Sequence, residues 1–172
     1  GHIGLLASNS SVSYDQVDVA DTQQSSTSQS VANGVDALSN LIILSGKWDM
    51  QNGVLVQKVP DAGDYIINSG VYTNDFTIEA RISVPKDSEV GGGFIFNMPD
   101  RGSRKGAYIL RLINGGEGLF WGYYDSTNKF QGVGSATLQP ADAYVVILSV
   151  TGDLMSVTVN GSPIASDVKL NS

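Results

Sequence analysis

The strongest constraint on the fold is a run in which apolar and polar side chains alternate strictly. In residues 76–84, Phe76 and every second residue after it are apolar, and Thr, Glu, Arg and Ser stand between them. A period of two places the apolar side chains on one face of a β-strand and the polar ones on the other. The run therefore predicts a strand that buries one face, as in an antiparallel sheet packed against a second layer.

Similar short runs follow through the chain. Strands are expected at residues 41–48, 53–58, 65–68, 76–84, 93–98, 107–113, 118–124, 144–150 and 154–160. Gly or Asn stands between several of them, as at Asn52 and Asn160, where a tight hairpin turn needs a positive φ. No segment carries a convincing apolar stripe of helical period. The sequence therefore predicts an all-β fold, an antiparallel β-sandwich of the jelly-roll type.

Composition limits the class of protein. The chain has 172 residues, no cysteine and a formal net charge of −7. This length suits one domain with a substantial core, and without cysteine neither a disulfide framework nor a thiolate metal site can form. The net charge disfavours nucleic-acid binding, which depends on Lys and Arg. No apolar run approaches the roughly twenty residues of a membrane span, so we expect no membrane insertion. The acidic charge fits a secreted protein, and we expect an extracellular or cell-surface location.

The N-terminal part of the chain has the pattern of strands. Residues 1–19 read as two short strands around an Asn/Ser turn, and their apolar positions are Ile3, Leu5, Val12, Tyr14, Val17 and Val19. We expect the last three to point inward, with a bulge absorbed by Asp15 and Gln16. Residues 20–40 are rich in Ser, Thr and Gln, which is typical of a flexible linker. Residues 41–172 would form the main body of the domain.

Several stretches together carry a family resemblance. They are residues 46–48, 51–55, 74–81, 91–96, 106–112 and 157–161. In this order they resemble the laminin-G-like and concanavalin-like jelly rolls of bacterial surface proteins, which include lectin modules, adhesion and spacer modules, and some glucanases. In that family a Gly-x-Ile-Gly-Leu run and a closing strand follow the last stretch, and here they stand at residues 1–5 and 14–19. The resemblance implies a jelly roll that is circularly out of frame, with its closing strands at the N-terminus.

Residues 1–19 could close one of two domains. They could complete the body of their own chain, or the body of a neighbouring subunit or repeat. The second arrangement predicts a non-catalytic structural or adhesive module, such as a filament or surface-array subunit, whose partners are further copies of itself. A cut through an array of tandem repeats would give the same sequence with no exchange.

Glycan binding is the alternative function. Trp121 and Tyr123 alternate onto one face of a predicted strand, and Arg111 stands in the neighbouring strand. Aromatic rings stack on sugar rings and a guanidinium offers a fork of hydrogen bonds, so these three residues are the candidate carbohydrate site. The opposing interpretation makes Trp121 a core residue and pairs Arg111 with Glu79 or Glu117.

A sugar-acting hydrolase is the third and least favoured function. Glucanases of the resembled fold carry acids along one strand as Glu-x-Asp-x-Glu, and this chain has no such run. The nearest candidate, Glu79, is a single carboxylate beside Arg81. The one histidine, His2, allows neither a His-rich zinc site nor a Ser-His-Asp triad in the body. We expect no catalytic residues.

Calcium is the one cofactor that the resemblance suggests, at a loop rim. A calcium ion takes roughly six to eight oxygen ligands. Suitable carboxylates are Asp15, Asp49, Asp61, Asp64, Asp75, Asp100 and Asp125. Their spacing does not mark a site.

Overall fold

The protein is an all-β antiparallel sandwich of two sheets, which confirms the predicted fold class. The computed structural model describes residues 1–8, 12–22, 28–30, 41–61 and 63–170. Within these ranges the helical structure is a 3-10 turn at Asn114–Gly116. None of the described residues forms a helix that is long and apolar enough to cross a membrane.

The described strands are numbered in chain order. They are β1 (His2–Ala7), β2 (Ser13–Asp21), β3 (Ser28–Ser30), β4 (Ile42–Ile43), β5 (Trp48–Gln51), β6 (Val54–Gln57), β7 (Tyr65–Tyr72), β8 (Phe76–Ser83), β9 (Val90–Met98), β10 (Tyr108–Ile113), β11 (Gly118–Tyr124), β12 (Phe130–Thr137), β13 (Tyr144–Thr151), β14 (Leu154–Val159) and β15 (Ser162–Lys169). Sheet A has the order β12-β11-β10-β9-β1-β7-β4, and sheet B has the order β15-β14-β13-β8-β2-β6-β5, with β3 also paired to β2. This two-sheet antiparallel arrangement is compatible with a jelly roll.

The two N-terminal strands lie inside the two sheets and not at their edges. In sheet A, β1 pairs antiparallel with β9 on one side and β7 on the other. In sheet B, β2 pairs with β8 on one side, and with β6 and β3 on the other. The bulge expected in β2 is present, because the register with β8 shifts between Asp15 and Asp18 and Gln16 has a φ of 51°.

The main core lies between the sheets, where alternating side chains from both sheets meet. Strand β8 shows the pattern most clearly, since Phe76, Ile78 and Ile82 are all 0% exposed. Full burial of such a side chain contributes about 1.5–3 kcal/mol to stability. The alternation that predicted this strand is therefore also what orients it in the sandwich.

A second, smaller apolar cluster lies on the opposite side of sheet A, which we call its outer face. It consists of Leu6, Ile66, Ile95, Met98, Ala107, Ile109 and Tyr124. Residues 99–106, between β9 and β10, contact this face. Asn68 Nδ2 donates to the Arg101 carbonyl at 3.4 Å, and the Arg104 guanidinium lies 4.5 Å from the centroid of the Tyr124 ring.

Several regions differ from the predicted strand pattern. Strand β15 follows the last predicted strand, at residues 154–160, and was not predicted. Residues 41–48 were expected as one strand but form β4 and the start of β5, separated by Gly46 with a φ of 86°. Strand β12 was not predicted, because its side chains do not alternate between apolar and polar. Strand β3 falls inside the segment expected to be a linker, and β2 also extends to Asp21. Residues 23–27 and 31–40 of that segment lie outside the described residues.

Candidate functional site

The position of β1 and β2 makes their contact with the rest of the chain the first candidate site. The six predicted strand-complementation residues, Ile3, Leu5, Val12, Tyr14, Val17 and Val19, are between 0% and 2% exposed and belong to the core between the sheets. Backbone ladders flank each strand on both sides. We call the space that β1 and β2 fill the strand slot, and its walls are β7 and β9 in sheet A and β8 and β6 in sheet B.

The three predicted carbohydrate residues do not share a face. Trp121 is 7% exposed within the core between the sheets, and Tyr123 packs against the same core. Arg111 lies opposite Phe120 in the ladder between β10 and β11, with its guanidinium 5.2 Å from the Phe120 ring centroid. Since side chains alternate along a strand, Arg111 and Phe120 face the outer side of sheet A. The structure therefore does not bring the three residues together as one platform.

Trp121 has the environment of a core residue. A Cβ on Gly134 would lie 2.8 Å from its Nε1 atom, so the indole is packed directly on the backbone of β12. Its Nε1 is buried and has no hydrogen-bond partner. This agrees with the opposing interpretation of Trp121. The partner of Arg111, however, is Asp64 and neither of the two glutamates proposed from sequence.

Asp64 is the centre of a polar cluster on the outer face of sheet A. Its Oδ1 accepts from Arg111 Nη1 at 3.3 Å, and its Oδ2 accepts from Arg104 Nη1 at 2.5 Å and from the Tyr124 hydroxyl. Arg111 Nη1 also donates to Ser8 Oγ at 2.5 Å. Burial and the hydrogen bond to Asp64 raise the pKa of Tyr124. We call these residues the Asp64 cluster.

The Asp64 cluster connects segments that are distant in the sequence. Its carboxylate accepts bonds from two cations and a hydroxyl, so most of its acceptor positions are occupied. Arg111 is 7% exposed, which places one of the two positive charges deep in the protein. The cluster therefore fixes the loop of Arg104 onto sheet A. Sequence reasoning placed Asp64 only among calcium candidates, because no local pattern joins it to the two arginines.

An open cleft of about 630 Å³ lies beside the cluster, at one end of β11. It is lined by Pro99, Asp100, Ser103, Lys105, Gly106, Tyr123, Tyr124, Asp125 and Ser126. One wall is tied to β11 by a bond from Gly106 N to the Tyr124 carbonyl at 2.8 Å. The two walls are tied to each other by Arg104 Nε and Asn128 Oδ1 at 3.2 Å. The cleft thus combines tyrosine, hydroxyl and charged residues, and these two hydrogen bonds hold its walls in place.

Asp125 in this cleft is a turn-forming residue. Its Oδ1 accepts from Thr127 N, Thr127 Oγ1 and Lys129 N, and its Oδ2 accepts from Gln131 Nε2. These bonds, that of the Thr127 side chain first, lower the pKa of Asp125 well below its usual range. The carboxylate therefore stays ionised and rigidifies the turn between β11 and β12.

The other calcium candidates are dispersed. The described part of the chain holds no group of three or more His, Asp or Glu residues that could hold a metal ion. Asp15 lies 3.6 Å from Arg81 and Asp49 lies 3.5 Å from Lys58. The Asp75 and Asp100 side chains accept from the backbone of Gly152 and Gly102, while the Asp61 carbonyl accepts from the Tyr65 hydroxyl.

Comparison with known proteins adds no family to these observations. No family model matches the chain, and no curated protein or solved structure matches it. The function must therefore be argued from the geometry of the strand slot and the cleft.

Proposed function

We propose that this protein is a non-catalytic structural or adhesive module of an extracellular assembly, in which copies or repeats join by β-strand complementation through residues 1–19. The observation that carries the proposal is the place of β1 and β2 in the interior of both sheets. An N-terminal segment that fills the strand slot supplies the same contacts to any sandwich of this sequence. The laminin-G-like and concanavalin-like resemblance supports it, because in that family the closing strands follow the last hairpin.

The energetics favour a filled slot. Without β1 and β2, each sheet would expose two rows of unpaired backbone donors and acceptors, which pair readily with an extended segment. The side chains of β1 and β2 would also lose their burial, at about 1.5–3 kcal/mol for each large apolar residue. A sandwich whose own segment has left is therefore a strong acceptor for another.

The chain length between the two parts permits both destinations. Residues 31–40 connect β3 to the start of the main body. Ten residues span at most about 35 Å when extended, which is comparable to the diameter of a domain of this size. The segment is long enough for β1 and β2 to enter an adjacent sandwich.

The proposal is tested by refolding two isotopically distinct full-length preparations together at high concentration and measuring mass by native mass spectrometry. Exchange through β1 and β2 predicts mixed dimers or open chains whose share grows with protein concentration. The same preparations refolded separately and then mixed are the control, and they should stay unmixed. Monomers alone after refolding at every concentration would refute strand exchange.

Glycan binding is the second candidate, and the observation that favours it is the cleft beside β11. The Tyr123 ring and the hydroxyls of Ser103 and Ser126 suit a neutral sugar ring. We propose Tyr123 as the centre of this glycan site, in place of the buried Arg111 and Trp121. On a glycan array, Tyr123→Ala should lose retention, while Tyr72→Ala, at an exposed tyrosine outside the cleft, should keep it. Equal retention by both variants and the parent would remove the cleft as a glycan site.

A further inference from the structure

The hydroxyl of Tyr14 links the two sheets. Tyr14 belongs to β2 of sheet B and is 0% exposed. Its hydroxyl accepts from Gly93 N of β9 at 2.9 Å and donates to the Leu6 carbonyl of β1, both in sheet A. Burial raises the pKa of Tyr14 far above its ordinary value, so the hydroxyl keeps the proton that it donates. One side-chain atom therefore bonds to a donor and an acceptor on two other strands, at the ladder pair of Leu6 and Gly93.

The space for this hydroxyl exists because β9 carries glycine at the point of contact. A Cβ on Gly92 would lie under 3.0 Å from the Tyr14 hydroxyl and 2.5 Å from Val12 Cγ1. Real Cβ atoms essentially never make such contacts, and backbone or packed side chains would have to shift. The acceptor side of the slot thus has a gap at Gly92 and a backbone donor at Gly93, which together match a tyrosine.

We propose that Tyr14 and the Gly92-Gly93 pair form the recognition element that decides which N-terminal segment a sandwich accepts. The inference rests on the proposed function, strand complementation. The partner it identifies is a segment from another copy or repeat that carries tyrosine at the position of Tyr14. The acceptor must carry glycine at the two β9 positions.

The Tyr14 hydroxyl distinguishes one N-terminal segment from another, whereas the apolar side chains do not. Apolar residues such as Val17 and Val19 fill the slot by size, and cores tolerate volume-conserving swaps between apolar residues. A segment with Phe at position 14 would fill the same volume. It would lose the hydrogen bonds that the hydroxyl makes with Gly93 N and the Leu6 carbonyl. Leu6 and Gly93 stay paired in the ladder between β1 and β9, so the difference is the contribution of the hydroxyl's own bonds. We expect this difference to be about tenfold in the amount of segment bound.

The experiment uses the full-length protein and synthetic peptides of residues 1–21. The protein is unfolded in urea and refolded in an equimolar mixture of two peptides that carry different dyes. Total peptide is at millimolar concentration or above, because the protein's own segment competes at an effective concentration of order millimolar. Unbound peptide is removed by gel filtration, and the ratio of the two dyes in the protein peak is the readout.

Three peptides are compared: the parent, Tyr14→Phe, and the control Ser13→Ala, which loses a hydroxyl from the neighbouring half-buried residue. The parent and Ser13→Ala peptides should be incorporated equally, and Tyr14→Phe about tenfold less. In a Gly92→Ala protein, the preference for the parent over Tyr14→Phe should shrink, because the added Cβ meets the hydroxyl that Phe lacks. The peptide comparison stands by itself if Gly92→Ala does not fold.

Two results would overturn the inference and they are distinguishable. Equal incorporation of the parent and Tyr14→Phe peptides would show that the slot accepts segments by apolar volume alone, while strand complementation itself would stand. Absence of all three peptides from the refolded protein would refute strand complementation and the recognition element with it.

Discussion

Replacing Asp64 by asparagine should expose how much the Asp64 cluster contributes to stability. The change keeps the size of the side chain but removes the anion between Arg104 and Arg111. Removing one partner of a buried ion pair costs about 3–5 kcal/mol. The Arg104 side chain is 38% exposed and regains part of its solvation, whereas that of Arg111 is 9% exposed and does not. We therefore expect Asp64→Asn to lower the free energy of unfolding by about 2–4 kcal/mol.

Urea unfolding followed by tryptophan fluorescence measures this loss directly. Trp48 and Trp121 are each 7% exposed, so their emission changes when the core opens. For a chain of this size, 1 kcal/mol changes Tm by about 2–4 °C, so a thermal melt should show a fall of roughly 5–15 °C. The control is Asp49→Asn, which removes an exposed ion pair with Lys58 and should unfold like the parent.

Comparing Asp64→Asn with Asp49→Asn shows whether the charge of Asp64 stabilises the fold by neutralising Arg111. If Asp64→Asn and Asp49→Asn both unfold at the urea concentration of the parent, the charge of Asp64 is not needed to neutralise Arg111. The cluster would then be solvated in solution, and the loop of Arg104 would not be held on sheet A by it.

Three further predictions follow from burial and close packing. Trp121→Ala should lower the free energy of unfolding by about 3–5 kcal/mol because it leaves a cavity, while Tyr72→Ala, at a side chain 65% exposed, should not; equal Tm values would contradict the core position. Gly93→Ala should not fold in soluble form, since its Cβ would lie under 3.0 Å from a β10 carbonyl, and a native melt would contradict this contact. Because burial raises the pKa of Tyr14 and Tyr124 above the ordinary 10.0, stability is complete below about pH 10 and is lost as the pH rises further. Urea titrations across this range should show a smaller loss for Tyr14→Phe, and identical slopes would contradict the assignment.

The parts of the fold that sequence predicted are those encoded by local alternation. Strand β8 was evident because every second side chain from Phe76 is apolar. The same side chains are the buried ones in the sandwich. The bulge at Gln16 was also visible, since the apolar positions of β2 change phase between Tyr14 and Val17. Such features need no knowledge of the partner strand.

The parts that sequence did not predict depend on register and on contacts between distant segments. Whether Arg111 shares a face with Trp121 depends on which residue it lies opposite, and the observed pairing with Phe120 puts the two on different faces. Strand β12 is an edge strand with Gly132 and Gly134 in its centre, so neither face shows an apolar period. The Asp64 cluster unites separate segments whose spacing carries no local signal.

The interior position of β1 and β2 also bears on the order in which the sandwich is completed during synthesis. The Ile3 carbonyl accepts from Ser69 Oγ, 66 residues later, and the Tyr14 hydroxyl accepts from Gly93 N, 79 residues later. At translation speeds of about 5–20 residues per second, these separations correspond to roughly 3–16 s. During that interval β1 and β2 have left the ribosome while their walls are still being made. In a tandem array the slot of the preceding repeat is already built, and the timing of translation favours it over the slot of the same repeat.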